Sequence, residues 1–475
     1  MSNICQQLHT TDSLYHIFIK YAKYLIITRN ICYNLIYKGN SNLNMKEKNK
    51  NRNIYIDLMK GLLITLVVIG HLPYFEYDSR TLVLIYSFHM HAFLIIGGIL
   101  SHINENTKFS TILYKRITGT LIPYFVFYLI TFLIVPTTTE QKLNAIPVVL
   151  KGIGIPPDHA LNLPLWFLTF YFVAMTTFEI LQFISYKIAL ALANVVKASH
   201  HKTTTHLGEP TTRTGELCEL TTRMSELCEP ALATLLTLIF ISIIMRASFI
   251  YARIYKLPRL PYNIEIAGFC LGFVFLGNVL GKIIPNIKGR MTSALIKKIF
   301  KIIFMIVVAF ALILIAKTWY EYSMWNGRID LNARDYKNAF YMYVDAILGF
   351  ITFSFFTYII YIVSTFAKKR LDFLNNNLFD DSLFKEIPNI FYTLLGLPSK
   401  MFSYLGKNSL YILAYHVPSV YYSNRFVMPY LPASLRETLS HNSLISILIM
   451  SFFGIAFSLI MSLIHKIILR FIHHN

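Results

Sequence analysis

Charge is what this sequence has least of. Only 14% of its 475 residues are Asp, Glu, Lys or Arg against 55% hydrophobic, and a mean hydropathy of +0.51 excludes an ordinary soluble composition. Acidic residues are scarcest, 24 against 44 Lys and Arg, which leaves a formal net charge of +20. That excess is dispersed between apolar stretches instead of gathered on one domain. It therefore reads as a topology signal and as contacts to anionic membrane lipids, with no nucleic-acid partner expected. Five cysteines, Cys5, Cys32, Cys218, Cys228 and Cys270, show no CxxC or Cys/His ligand spacing, which argues against a disulfide framework and a metal centre. No GxSxG elbow, Walker loop or HExxH occurs, so a serine acyl-enzyme, a P-loop site and a zincin mechanism lose support. The first residues also lack the basic, apolar and small-residue pattern of a cleaved secretory signal, so the first span is expected to insert as an uncleaved anchor.

What is present in quantity is apolar sequence in runs long enough to span. They fall at about 56–72, 81–100, 117–135, 164–183, 232–250, 263–281, 298–316, 341–365, 404–420 and 443–464. The fold expected is an all-α polytopic transmembrane helix bundle of about ten spans. Lys46, Lys48, Lys50 and Arg52 place the amino terminus in the cytoplasm, and alternation then puts most remaining basic clusters inside, as for a multi-pass protein of the inner (cytoplasmic) membrane. Arg253, Lys256 and Arg259 are the exception and fall outside. Residues 1–50 read as an extension, with Met45 the favoured functional start, and 51–470 as the membrane domain. Within it, 198–230 is expected to be a loop, carrying TTRTGELCE and TTRMSELCE at a period of ten, and 136–162 a long Pro-containing connection on the outer side. Two copies are too few for a repeat architecture.

The informative stretch is RNIYIDLMKGLLITLVVIGH at 52–71. Lys60 and His71 stand eleven positions apart on one apolar helix, about 16 Å along its axis. Half a hydrocarbon core separates them, so both cannot share one headgroup layer without strong tilt. Ionisable groups at such depth usually face a protein interior or a water-filled site. Taken alone, Lys60 reads equally as a snorkelling interfacial lysine. A short hairpin at 73–80 then brings His89 of FHMHAF to a depth comparable with His71. Glu179, Arg246, Glu265 and Asp345 also fall in expected spans, and Arg246 is expected to bridge to Glu265 or Asp345.

D-L-M-K-G followed by G-H resembles the opening helix of the acyltransferase 3 family, whose pattern is a basic residue, ten intervening positions and histidine. The Lys-Gly form looks like its fucose 4-O-acetylase branch. Phe88, His89, Met90, Phe93, Gly97 and Gly98 match the family's second signature, with His91 where a proline is usual. Arg116, Ile122, Pro123 and Tyr124 resemble its R-x-x-R-L-L-I-P-Y segment, with Gly119 in place of the second arginine. Trp166 stands in an L-W-F-L motif. Gly406, Asn408, Ser409, Leu410 and His416 resemble the closing signature.

The resemblance implies a membrane acyltransferase, in the first place an O-acetyltransferase, that uses acyl-CoA (acetyl-CoA is the expected form) as co-substrate and a hydroxyl of a glycan or lipid-linked sugar as acceptor. His71 is then the candidate base, since imidazole titrates near neutrality, and His89 a partner in the same region. Lys60 and Arg116 are candidates for the donor's phosphates. Trp166 is either a stacking platform for a sugar face or an aromatic-belt anchor, while Asn408 and His416 are either acceptor-binding or, for Asn408, a helix cap. The competing class is a polytopic transporter or lipid-linked-glycan flippase, which would more naturally show paired halves with broken helices.

Overall fold

A computed structural model describes residues 53–474 except 73–78, 102, 104–106, 136–137, 153–161, 206–211, 289–295, 328, 330, 332–333, 335–338, 378–382, 423–427, 431, 435–436 and 438–443. The extension 1–50, its start codon and most of the 73–80 hairpin lie outside the described residues. Contacts divide the chain into two units, Tyr55–Ile460 and a smaller one made of Met1–Ile54 with Met461–Asn475. The candidate site belongs to the first.

Among the described residues the fold is all-helical. The helices are α1 (Ile54–Gly70), α2 (Arg80–Ile99), α3 (Phe109–Arg116), α4 (Ile122–Ile134), α5 (Thr139–Lys151), α6 (Trp166–Thr205), α7 (Thr212–Phe249), α8 (Ile264–Phe269), α9 (Leu271–Lys288), α10 (Ile296–Asn326), α11 (Ala339–Asn377), α12 (Leu383–Lys407), α13 (Ser409–Tyr422) and α14 (Leu444–His474). Five are long and apolar enough to cross a membrane, six if the pair 261–283, bent by 60°, counts as one. The protein is a multi-pass membrane protein.

The expected runs 117–135 and 404–420 are helical but interrupted, each for a local reason, whereas 298–316 lies within the unbroken α10. Pro123 cannot donate the helical bond to the carbonyl four residues back, and the chain enters α4 through a π-turn at Ile117–Leu121, so the run 117–135 yields only 13 residues of regular helix. The run 404–420 divides at Asn408, between α12 and α13. The expected loop 198–230 is instead helical over most of its length, because α6 runs on to Thr205 and α7 starts at Thr212. The repeat therefore lies along α7, as its Leu, Glu and Arg content permits. The connection 136–162 contains α5, opened by a Thr138/Gln141 capping box and closed by Gly152 at φ 61°. Tyr124 donates to the Val149 carbonyl, while Thr169 and Asn263 both donate to that of Gly152, so α5 is fastened to its neighbours.

Helix α2 lies innermost. Of its apolar window 72% is buried, and it packs on α6, α9, α10 and α11. The small pair of the second signature explains that closeness. A Cβ on Gly98 would stand 2.0 Å from the Val274 carbonyl oxygen of α9, and one on Gly97 would run into Tyr171 and Met175 of α6. Phe88 packs on Trp319 and Phe353. Much of this signature is thus packing rather than chemistry.

The ion pairs differ from the expected set. Glu265 pairs with Arg334, Asp345 accepts from Ser323 at 2.5 Å, and Arg246 is exposed on α7. Arg246 stands on the outside of its helix and so meets neither carboxylate.

Candidate active site

The two ends of the family resemblance, 345 residues apart in sequence, are in backbone contact. A Cβ on Gly61 of α1 would lie 1.7 Å from the Phe402 carbonyl oxygen of α12, and one on Gly406 would lie 1.8 Å from that of Asp57. Only glycine permits this approach. Ten residues further along each segment, His71 and His416 meet, with ring centroids 4.9 Å apart and planes at 73°. Contact at both places means that α1 and the α12–α13 segment run parallel between them, which carries the spacing of the first signature onto the last.

The imidazoles share one hydrogen-bond pattern. His71 Nδ1 lies 2.8 Å from the Val67 carbonyl, His89 Nδ1 2.6 Å from that of Ile85, and His416 Nδ1 3.0 and 2.9 Å from those of Ile412 and Leu413. A carbonyl only accepts, so each Nδ1 carries the proton and each Nε2 the basic lone pair. His416 is fully buried, and its Nε2 meets no hydrogen-bonding partner among the described residues. His71 is half-buried. Beside the pair, Leu72, Val420 and Met450 make an apolar wall with Ile447 and Phe453, where Gly454 lets α14 approach Val420 and Val68. A dry wall strengthens electrostatic interactions on its inner side.

His89 is buried in α2, with the ring of Tyr86 edge-on at 5.0 Å. The Cβ direction of Gly70 points at that Tyr86, 3.4 Å away. His89 is therefore linked to the His71 end of α1 through Tyr86. His91, on the same helix, is buried against Phe273 at 4.6 Å, and α2 runs through it without a break.

Lys60 lies half-buried next to Gly61, at the opposite end of α1 from His71. Arg116 is buried and donates through Nε to Glu179 Oε2 at 2.8 Å while its other arm pairs with Oε1, which also accepts from Ser101. Glu179 thus neutralises Arg116, and the guanidinium joins the end of α3 to α6. Gly119 has open space around it.

Trp166 is 8% exposed and packs on Phe170 and Phe167, which rules out a lipid-facing belt position and makes it part of the interior near the start of α6. Asn408 joins α12 to α13. Its Nδ2 donates back to the Tyr404 carbonyl at 2.9 Å, and its own carbonyl accepts from Tyr411 and Ile412.

Sequence reasoning passed over Asn162. It is fully buried, its carbonyl accepts from Tyr128 and Leu165, and its Nδ2 donates to Thr131 Oγ1 and to the Ala414 carbonyl on α13. The legible signal was Pro418, a proline inside an apolar run. No group of three or more potential metal ligands occurs among the described residues. A family model described as an acyltransferase domain matches residues 53–464. No curated protein and no solved structure was found to match.

Proposed function

The chain belongs to the acyltransferase 3 family, and from that premise we propose that it moves an acyl group, acetyl first, from acyl-CoA to a hydroxyl of a cell-envelope glycan or lipid-linked sugar. The observation that carries this reading is the His71–His416 pair, set by the parallel packing of the first and last signatures, with the basic nitrogen of each imidazole at Nε2.

His71 Nε2 takes the acceptor's hydroxyl proton as the oxygen attacks the thioester carbonyl. The tetrahedral intermediate expels the CoA thiolate, which recovers the proton, so the products are an ester and free CoA thiol. His416, held beside His71 but wholly buried, orients that ring and stays neutral next to it. His89 lines the same end of α1. Lys60, about 16 Å away along the helix, meets the phosphates of the donor from the cytoplasmic side. This division accords with a cytoplasmic amino terminus in the inner membrane. Arg116 acts through Glu179 to hold α3 against α6 and is not a phosphate ligand in this scheme.

Incubation of isolated membranes with radiolabelled acetyl-CoA, followed by lipid and polysaccharide fractionation, tests the reading. Label in a glycan or lipid-linked sugar fraction, absent from membranes carrying His71→Ala, is the expected result. A wild-type membrane that releases no CoA and labels no acceptor favours the transport reading instead.

A further inference from the structure

We propose that Asn162 is a positioning residue for His416, and that it works by replacing a hydrogen bond that Pro418 removes. This inference rests on the reading of the His71–His416 pair as the reacting centre. In a regular helix the Ala414 carbonyl would accept from the amide of residue 418. Residue 418 is proline, which has no N–H and whose ring crowds the carbonyl four residues back, so α13 is left with an unfilled acceptor one turn before the proline. Asn162 Nδ2 occupies that acceptor at 2.8 Å. His416 sits midway between the freed carbonyl and the proline, at the point where the helix bends most readily.

The rest of the bracket is built to hold Asn162 still. Tyr128 donates to its carbonyl at 3.1 Å, and its Nδ2 also reaches Thr131 Oγ1 at 3.2 Å, whose hydroxyl is itself committed to the Phe127 carbonyl. Phe127 packs on Tyr415, the neighbour of His416. Helix α4 thus grips α13 on the side of Ala414, while His416 projects from a different side, two residues or about 200° further round, toward His71. The side chain that touches the reacting pair is His416. Asn162 acts only through the backbone behind it.

The test uses the full chain, purified in detergent, as wild type, Asn162→Ala, Pro418→Ala and the double variant. Two readouts are taken, hydrogen exchange of 409–422 and the kcat and KM of acyl transfer from acetyl-CoA. Asn162→Ala is expected to raise exchange in α13 alone, and to lower kcat by about ten- to a hundredfold with KM for the donor unchanged, since misplacement of about 1 Å carries a penalty of that order. Pro418→Ala returns an N–H to the Ala414 carbonyl. In that background the further change Asn162→Ala should therefore alter neither exchange nor kcat. Asn162→Leu, which fills the space without a donor, should repeat the effect of Asn162→Ala if the alanine variant folds poorly. The proposal is overturned if Asn162→Ala leaves exchange of α13 unchanged, if it raises exchange throughout the chain, or if its effect is undiminished in the Pro418→Ala background. Exchange decides the matter even if the wild-type chain shows no acyl transfer, so failure of the bracket and failure of the acyltransferase reading are distinguishable.

Discussion

Replacing Gly61 by alanine adds one methyl group at the tightest point between α1 and α12. The new Cβ would stand 1.7 Å from the Phe402 carbonyl oxygen, whereas real Cβ contacts stay beyond 3.0 Å, so the two backbones must part by at least about 1.3 Å. Neither side has a flexible end to yield, because the obstructing atom belongs to the main chain of a helix. Overpacking of this kind costs about 1–3 kcal/mol, and for a chain of this size that is a fall in melting temperature of about 1–3 °C. The same displacement carries Lys60, the preceding residue, and shifts the frame on which His71 meets His416, so turnover should drop together with stability. Gly406→Ala opens the same interface from the other side, with its Cβ 1.8 Å from the Asp57 oxygen. The double variant should therefore cost much less than the sum of the two, since helices already parted have room for the second methyl. Thermal unfolding of detergent-purified protein and acyl transfer by the same preparations supply the measurements. Wild-type melting and turnover for Gly61→Ala, or strict additivity in the double variant, would refute the claim that the opening and closing signatures meet through these two glycines.

Other perturbations separate the roles assigned to single side chains. His71→Ala should lower turnover by about 10²–10⁴-fold while leaving donor affinity intact, and Lys60→Ala should chiefly weaken donor binding, both read from kcat and KM at equal membrane abundance. Arg116→Ala strands the fully buried carboxylate of Glu179 and should cost about 3–5 kcal/mol, seen as lost abundance or melting temperature rather than as a selective rise in donor KM. Introducing proline at His91, where the family resemblance has one, should destabilise the chain by roughly 3 kcal/mol, because α2 runs through that position as regular helix.

Much of the architecture was legible because it depends on local composition. Apolar runs flanked by lysine and arginine mark helices whatever their partners, and the interrupted run 117–135 carries a visible breaker in Pro123. The repeat at 211–229 misled in the opposite direction. Its threonines and charges suggest a loop, yet its Leu, Glu and Arg have adequate helix propensity and it forms the first turns of α7. The ion pairs were legible as a class and not as pairs. Span position flags Glu179, Glu265 and Asp345, but which partner each meets, a cation for the first two and the Ser323 hydroxyl for Asp345, depends on the rotation of helices that share no local sequence. Arg334 in a connection between spans reaches Glu265, whereas Arg246, on an expected span itself, turns outward.

The site divides in the same way. His71 and His416 each stand out as histidines at the end of apolar runs, but their meeting follows from two glycines 345 positions apart, a relation no single window contains. Asn162 shows the general form of the difficulty. An asparagine before L-P-L-W reads as ordinary turn chemistry, and its partner is a main-chain carbonyl, which has no identity in a sequence. What the sequence does contain is the vacancy, because Pro418 leaves Ala414 without its helical donor. In a membrane interior, where bulk water does not supply the missing bond, the carbonyl that an internal proline frees must be satisfied by a local adjustment of the helix or by a donor elsewhere, and a buried Asn, Ser or Thr beside that helix is a natural place to look for it.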